Sequence, residues 1–160
     1  MSTHQRNMIK QLPISLPGGK KSDVRSQFAA LCYRVRKKKV QVLLITSRNT
    51  KRWIVPKGWP MDGKTPAESA AIEAWEEAGV RGHSDGRCIG IFSYSKETDS
   101  EGELPCLAMV FAVEVASLAD DYPEVSERKR TWVSRKQAAK MVDEPELSRI
   151  LLDFDPRFYA

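Results

Sequence analysis

The chain has 160 residues, 41% of them apolar, and a formal net charge of +5 at pH 7. That is one domain's worth of sequence, with enough apolar side chains for a sizeable core. No apolar run approaches the roughly 20 residues that span a bilayer, and the N-terminus lacks a secretory apolar region, so a cytoplasmic protein with no membrane partner is expected. Cys32, Cys88 and Cys106 have no metal-ligand spacing. An odd count without a signal fits reduced thiols, and each lies in an apolar, strand-like segment that reads as buried. His4 and His83 sit in polar, terminal or Gly-rich surroundings and read as solvent-facing. The positive balance suits an anionic partner, whether polyphosphate, nucleotide or nucleic acid, although at this size a merely soluble basic surface would serve as well.

Residues 1–24 carry Pro13, Pro17, Gly18 and Gly19 among polar residues and read as a flexible lead-in, with a short ordered piece at Ile14 to Leu16. Residues 25–160 read as a single domain. From Arg25 to Arg36 the side chains alternate as in a strand, Lys37-Lys38-Lys39 forms a charged hairpin turn, and Val40 to Thr46 returns with the buried run Val42-Leu43-Leu44-Ile45. Ser47 to Arg52 is a basic loop leading into a short strand, Trp53-Ile54-Val55. Arg48, Lys51, Arg52 and Lys57 thus crowd one approach. Singly each reads as a solvated cation; as a group on a loop held by a rigid scaffold they read as a binding set.

A helix follows. Thr65 is its N-cap, Pro66 takes the first helical position, and Glu68, three after Thr65, completes a capping box. Gly79 stops it. Ala67, Ala70, Ala71, Ile72, Ala74 and Ala78 make the rest small and apolar, so the helix can lie close to a sheet. Glu73, Glu76 and Glu77 fall at offsets of three and four, within about one turn of one face. Like charges at that spacing repel, and a bound cation would neutralise them; hard oxygen ligands suit Mg²⁺ or Mn²⁺. The plain alternative is a solvated acidic face. Glu76 is expected on an exposed functional face.

Beyond the helix, Cys88 to Tyr94 reads as a strand and Ser95 to Glu103 as a polar loop over the site. Leu104 to Val115 is the longest apolar strand, with Pro105 at its entry and Glu114 reading as outward-facing or as a further metal-site acid. Ser117 to Val125 reads as a loop and Thr131-Trp132-Val133 as a short strand. Ser134 caps a helix through Met141, and Glu146 to Phe154 closes the chain with Leu147, Ile150, Leu151 and Phe154 at core spacing. Strands first, one helix in the middle and helices last predict an α/β sandwich, with helices on both faces of a mixed sheet.

The stretch Gly58 to Val80, GWPMDGKTPAESAAIEAWEEAGV, resembles the Nudix box, G-x5-E-x7-R-E-U-x-E-E-x-G-U with U apolar. Gly58, Glu73, Ala74, Glu76, Glu77, Gly79 and Val80 fall in register. Lys64 stands where the family has Glu, and Ile72 where it has Arg. The strings RWIVPKG, EEAGVRG, CIGIFSY, ERKRTWVSRKQA, AALCYR and VLLITSR are similar to diphosphoinositol polyphosphate phosphohydrolases, over about Arg25 to Val142. The resemblance implies a Nudix-type α/β/α sandwich with a mixed sheet. It also implies cleavage of pyrophosphate bonds in diphosphoinositol polyphosphates and diadenosine polyphosphates. Carried residue by residue, it makes Glu73 and Glu77 metal ligands with the Lys57 carbonyl, Glu76 the proton acceptor, and Ser47, Arg48 and Arg128 contacts to substrate phosphate. Arg25 stands where the family has a basic phosphate binder, whereas Gln27 replaces a nearby arginine. The family's basic loop is here the more acidic Lys96-Glu97-Thr98-Asp99. Both changes weaken the case for a highly phosphorylated inositol and leave dinucleoside polyphosphates competitive.

The implied reaction is Mg²⁺- or Mn²⁺-dependent hydrolysis of a small polyphosphate substrate by a monomer or homodimer. An RNA 5′-end pyrophosphohydrolase would use the same box on a capped or triphosphorylated end and needs aromatic platforms, for which Trp59, Tyr94 and Trp132 are candidates. Other nucleic-acid partners are not expected. A catalytically weakened polyphosphate-binding module is the non-enzyme alternative, motivated by Lys64 and Ile72 and opposed by the retained glutamates.

Overall fold

The computed structural model describes residues 24–98 and 102–158. Alternation along its first strand sorts the molecule into layers. In β1 (Arg25–Arg36), Ala29, Leu31 and Tyr33 point to one face and Ala30 and Cys32 to the other, all of them buried. The hairpin partner β2 (Lys39–Thr46) repeats this, with Val42 and Leu44 on the first face and Leu43 and Ile45 on the second. Between them Lys37 and Lys38 both take positive φ, as a tight hairpin turn demands.

The sheet is mixed, with the order β3-β2-β1-β7-β5. Its one parallel ladder among the described residues joins β1 to β7 (Gly102–Leu118), from Arg25 opposite Cys106 to Tyr33 opposite Glu114. On the other side of β1 lie β2 and the two-residue β4 (Lys57–Gly58); β3 (Trp53–Ile54) and β8 (Arg130–Ser134) extend the sheet from β2. The far side of β7 is shared by β5 (Val80–His83) and β6 (Cys88–Thr98).

Helix α1 (Pro66–Ala78) covers one face, packing Ala67, Ala70, Ala74 and Ala78 onto Ala30, Cys32, Leu43, Ile45, Phe111 and Val113. Its capping box is formed: Thr65 Oγ1 accepts from Glu68 N at 3.1 Å, and Glu68 Oε1 accepts from Thr65 N at 2.8 Å. Helices α2 (Arg135–Met141) and α3 (Pro145–Asp153) cover the opposite face, where Ala138, Leu147, Leu151 and Phe154 meet Leu31, Leu44, Phe92 and Val110. Ser134 caps α2 by accepting from Gln137 N at 3.1 Å. The expected α/β/α layering is therefore present.

Three expectations are corrected. The polar stretch 95–103 continues β6 to Thr98 and opens β7 at Gly102, with Lys96 opposite Leu104 and Thr98 opposite Gly102. Cross-strand pairing overrides polar composition there. β7 likewise runs to Leu118, where β5 pairs with it, so part of the loop expected at 117–125 is strand. Cys88 is exposed, unlike Cys32 and Cys106, because it stands at the start of β6 beside a register shift. Glu114 and His83 are both exposed, so Glu114 takes the outward-facing reading. The lead-in with Ile14 to Leu16, and His4, lie outside the described residues. No helix among the described residues is long and apolar enough to cross a membrane.

Candidate active site

The site is built where α1 passes over β4. The expected glutamates share one helix face, but that face is turned inward: Glu73, Glu76 and Glu77 are 3%, 7% and 6% exposed. The Glu73 carboxyl rests on Gly58 so closely that a Cβ there would overlap it. The first glycine of the box is thus a steric requirement for seating a helix carboxylate against β4.

Glu77 is the electrostatic centre. Burial holds its carboxyl above the ordinary range, while Arg128, a hydrogen bond with Glu73, and Lys57 pull it back. The Arg128 guanidinium, itself nearly buried, is engaged on every side. Nη2 lies 3.8 Å from Glu77 Oε1, Nε donates to Glu124 Oε1 at 2.8 Å, and Nη1 donates to the Thr46 carbonyl at 3.1 Å. Lys57 stands across the site with its ammonium 4.7 Å from the Tyr94 ring centre. Burial pushes that ammonium down to about 8, against the pull of Glu77 and Glu144. Tyr94 donates from its hydroxyl to Gln27 Oε1, and burial raises the phenol well above its usual range.

These groups open on a cleft of about 680 Å³. Glu73, Glu77, Lys57, Ser47, Arg48 and Arg128 all line it, so six of the expected site residues are brought together. Glu76 and Arg25 are outside the lining: Glu76 is buried, with its carbonyl accepting from Glu124 N at 3.0 Å, and half-buried Arg25 sits at the start of β1 opposite Cys106. Ser47 Oγ is tied within its own loop, 2.8 Å from Thr50 Oγ1 and accepting from Arg52 N at 2.9 Å. Arg48 pairs with Glu127 at 3.3 Å; both are exposed, so the pair contributes little stability and can open to a ligand.

Arg52 of the basic loop and Trp59 are anticipated from the sequence and line the cleft, whereas Glu124, Asp143 and Glu144 are not anticipated. Glu124 comes from the segment between β7 and β8, and its spacing of four from Arg128 was the only available signal. Arg52 crosses the rim to Asp143 at 3.2 Å and Glu144 at 3.6 Å, which no local pattern announces. Trp59 and Lys96 form another wall, with the ammonium 5.9 Å from the ring centre. Neither Lys64 nor Ile72 lines the cleft. Lys64 is exposed at the helix entrance, where its charge acts on Glu68, and Ile72 is half-buried on α1.

No three Asp, Glu, His or Cys side chains among the described residues stand as a closed ligand cluster. The chemistry of the donors still fits a hard divalent cation. Glu73 and Glu77 bring carboxylate oxygens to one wall, and among the described residues the lining holds no competing sulfur or imidazole.

Comparison with known proteins bears on this arrangement. The NUDIX domain family matches residues 25–154. "Nudix hydrolase 12, mitochondrial" of Arabidopsis thaliana is 34% identical over 119 residues, which are 72% of this chain and 59% of that protein. Mouse "Diphosphoinositol polyphosphate phosphohydrolase 3-alpha" is 31% identical over 120 residues, 74% of this chain and 69% of that protein. The chain thus spans less than two thirds of the Arabidopsis relatives, 59% of one and 54% of another. Among solved structures, a C. elegans Ap4A hydrolase superposes with a TM-score of 0.54 at 22% identity, covering 86% of this chain and 99% of its own. A MutT protein from Methanosarcina mazei Go1 gives 0.60 at 20% identity, covering 89% and 100%. At those identities the structural likeness speaks for the fold.

Proposed function

The chain belongs to the NUDIX domain family, and from that premise we propose that it hydrolyses a pyrophosphate bond in a small polyphosphorylated or nucleoside-diphosphate-X substrate with the help of Mg²⁺ or Mn²⁺. The substrate class is a diphosphoinositol polyphosphate or a diadenosine polyphosphate. One observation carries the reading. Two buried helix carboxylates, Glu73 and Glu77, face a cleft whose other walls bring Lys57, Arg48, Lys96 and Arg128 to the same space. Carboxylates opposed by cations suit a substrate that is itself a chain of phosphates.

In the proposed mechanism Glu73, Glu77 and the Lys57 carbonyl would hold the cation, which would supply positive charge to offset that of the phosphoryl oxygens and the leaving phosphate. Arg48 and Lys57 take the non-bridging oxygens by charge-assisted hydrogen bonds, with Ser47 beside Arg48 on the same loop. Water attacks phosphorus in line; one P–O bond forms as the bridging P–O bond breaks and the electron pair leaves with the phosphate. The proton of the attacking water is assigned to a carboxylate oxygen of Glu76, three and one residues from Glu73 and Glu77 on α1. Arg128 stabilises the charge on Glu77 and adds its positive charge to the cleft wall.

The test is a panel of pyrophosphate compounds with Mg²⁺, read by product analysis, then repeated after exhaustive chelation. Hydrolysis that chelation abolishes and Mg²⁺ or Mn²⁺ restores supports the reading; full activity after chelation overturns it. A second reading, pyrophosphate removal from an RNA 5′-end, is favoured by Trp59 and Tyr94 in the cleft, where a base could stack. A 5′-triphosphorylated oligonucleotide in the same panel decides between them.

A further inference from the structure

We propose that Arg130 is a positioning residue, which locks the C-terminal end of α1 to the segment 119–128 and so sets Glu124 and Arg128 against Glu77. The kinetic part of this inference rests on the hydrolase reading above; the structural part does not.

A helix ends with carbonyls that have no partner of their own, and its C-terminus carries partial negative charge. The last turn of α1 contains no basic residue to answer this. The answer comes from another strand. Arg130 opens β8, and its backbone is fixed in the sheet opposite Ile45 of β2. From there its side chain crosses to the helix end. Nη1 donates to the Ala78 carbonyl at 2.7 Å, Nη2 donates to the Ala119 carbonyl at 2.9 Å, and the guanidinium stacks 4.9 Å from the centre of the Tyr122 ring. One planar fork thus joins sheet, helix and loop.

Two backbone bonds run through the same junction. Ala119 N donates to the Gly79 carbonyl at 2.9 Å, and Glu124 N donates to the Glu76 carbonyl at 3.0 Å. The second bond places Glu124 directly against the turn of α1 that carries Glu76 and Glu77. Glu124 then receives Arg128, which reaches Glu77. Gly79 gains a second reason to be glycine: besides its φ of +69°, a Cβ there would stand 2.8 Å from Arg130 Nη1 and would run into the Tyr122 ring. The box glycine is the recess into which the arginine seats. Arg130 does not line the cleft, so its influence passes through the residues it fixes.

The test compares full-length wild type with Arg130→Met and Arg130→Lys. Amide hydrogen exchange is followed at Ala119 and Glu124, and kcat and KM are measured with Mg²⁺. Leu147→Ala, in the opposite layer, serves as a destabilised control. In Arg130→Met the two amides are expected to exchange about tenfold faster or more, beyond the change shown by core strands. Its kcat should fall by roughly 10- to 100-fold, since misplacement far from the reacting atoms costs on that order. Arg130→Lys keeps the charge but reaches only one carbonyl, and should recover part of both; it also carries the test if the methionine variant does not fold. Leu147→Ala should lose thermal midpoint but keep kcat. Unchanged exchange at Glu124 in both arginine variants overturns the lock. A kcat loss no larger than that of Leu147→Ala overturns its role in turnover. If wild type cleaves nothing in the panel, the hydrolase reading fails, and exchange alone still decides whether Arg130 holds the segment.

Discussion

The two faces of the sheet are packed in opposite ways. Under α2 and α3 the contacts are large and apolar: Leu147, Leu151 and Phe154 fill the space above Leu31, Leu44, Phe92 and Val110, and the Tyr33 and Phe154 rings meet edge to face at 4.9 Å. Under α1 the helix contributes alanines, and it buries three carboxylates beside them. Fully burying a Leu or Phe side chain contributes about 1.5–3 kcal/mol. Alanine contributes much less, and a buried carboxylate costs free energy unless it is paired. Small residues let α1 come close enough for Glu73 to rest on Gly58. The α2–α3 layer therefore holds most of the stability, and the α1 layer gives some up to build a charged site. A protein can thus separate the two demands by sheet face.

Substitutions can break this comparison. The largest effect is expected for Glu76→Gln, which should lower kcat by about 10²–10⁴-fold with the thermal midpoint little changed, because the amide keeps the shape and volume of the carboxyl. If kcat falls by less than about tenfold, the proton goes elsewhere, and Glu124, a carboxylate that does line the cleft, is the candidate. In the other layer Leu147→Ala should cost about 2–5 kcal/mol in denaturant unfolding and leave kcat of the folded protein unchanged. A stability loss equal to that of an alanine-layer variant would erase the distinction.

Smaller effects sharpen it. Thr65→Ala removes the acceptor that holds the first turn of α1, and should cost about 1 kcal/mol with a modest loss of turnover. Thiol labelling probes burial directly. Burial, reinforced by Glu77, pushes the Cys32 thiol up to about 12, so no thiolate forms there at pH 8, whereas Cys88 is exposed. A thiol reagent at pH 8 should modify Cys88 in the native protein, and Cys32 only after unfolding. The sign of the linkage follows. Above about pH 9 the unfolded chain loses a proton that folded Cys32 keeps, so this thiol makes stability fall as pH rises from 9 toward 12. Cys32→Ala should flatten that limb of the midpoint-versus-pH curve; an unchanged slope would mean that the thiol is not buried in solution.

Local features were readable in the chain because covalent geometry alone sets them. A helix returns to the same face after three or four residues, so the shared face of Glu73, Glu76 and Glu77 was settled by spacing. The capping box at Thr65 and the alternation along β1 were settled in the same way. Contacts between elements depend on register and on many weak terms summed across the molecule. Only the tertiary structure could turn the glutamate face inward, leave Glu76 out of the cleft lining while Glu124 joins it, and wrap Arg128 between Glu77, Glu124 and Thr46. It also drew the polar stretch at 95–98 into β6, since the strand opposite supplied partners for its backbone. Spacing within one element is a property of the backbone, whereas the partner across a gap is chosen by the packing of the whole chain.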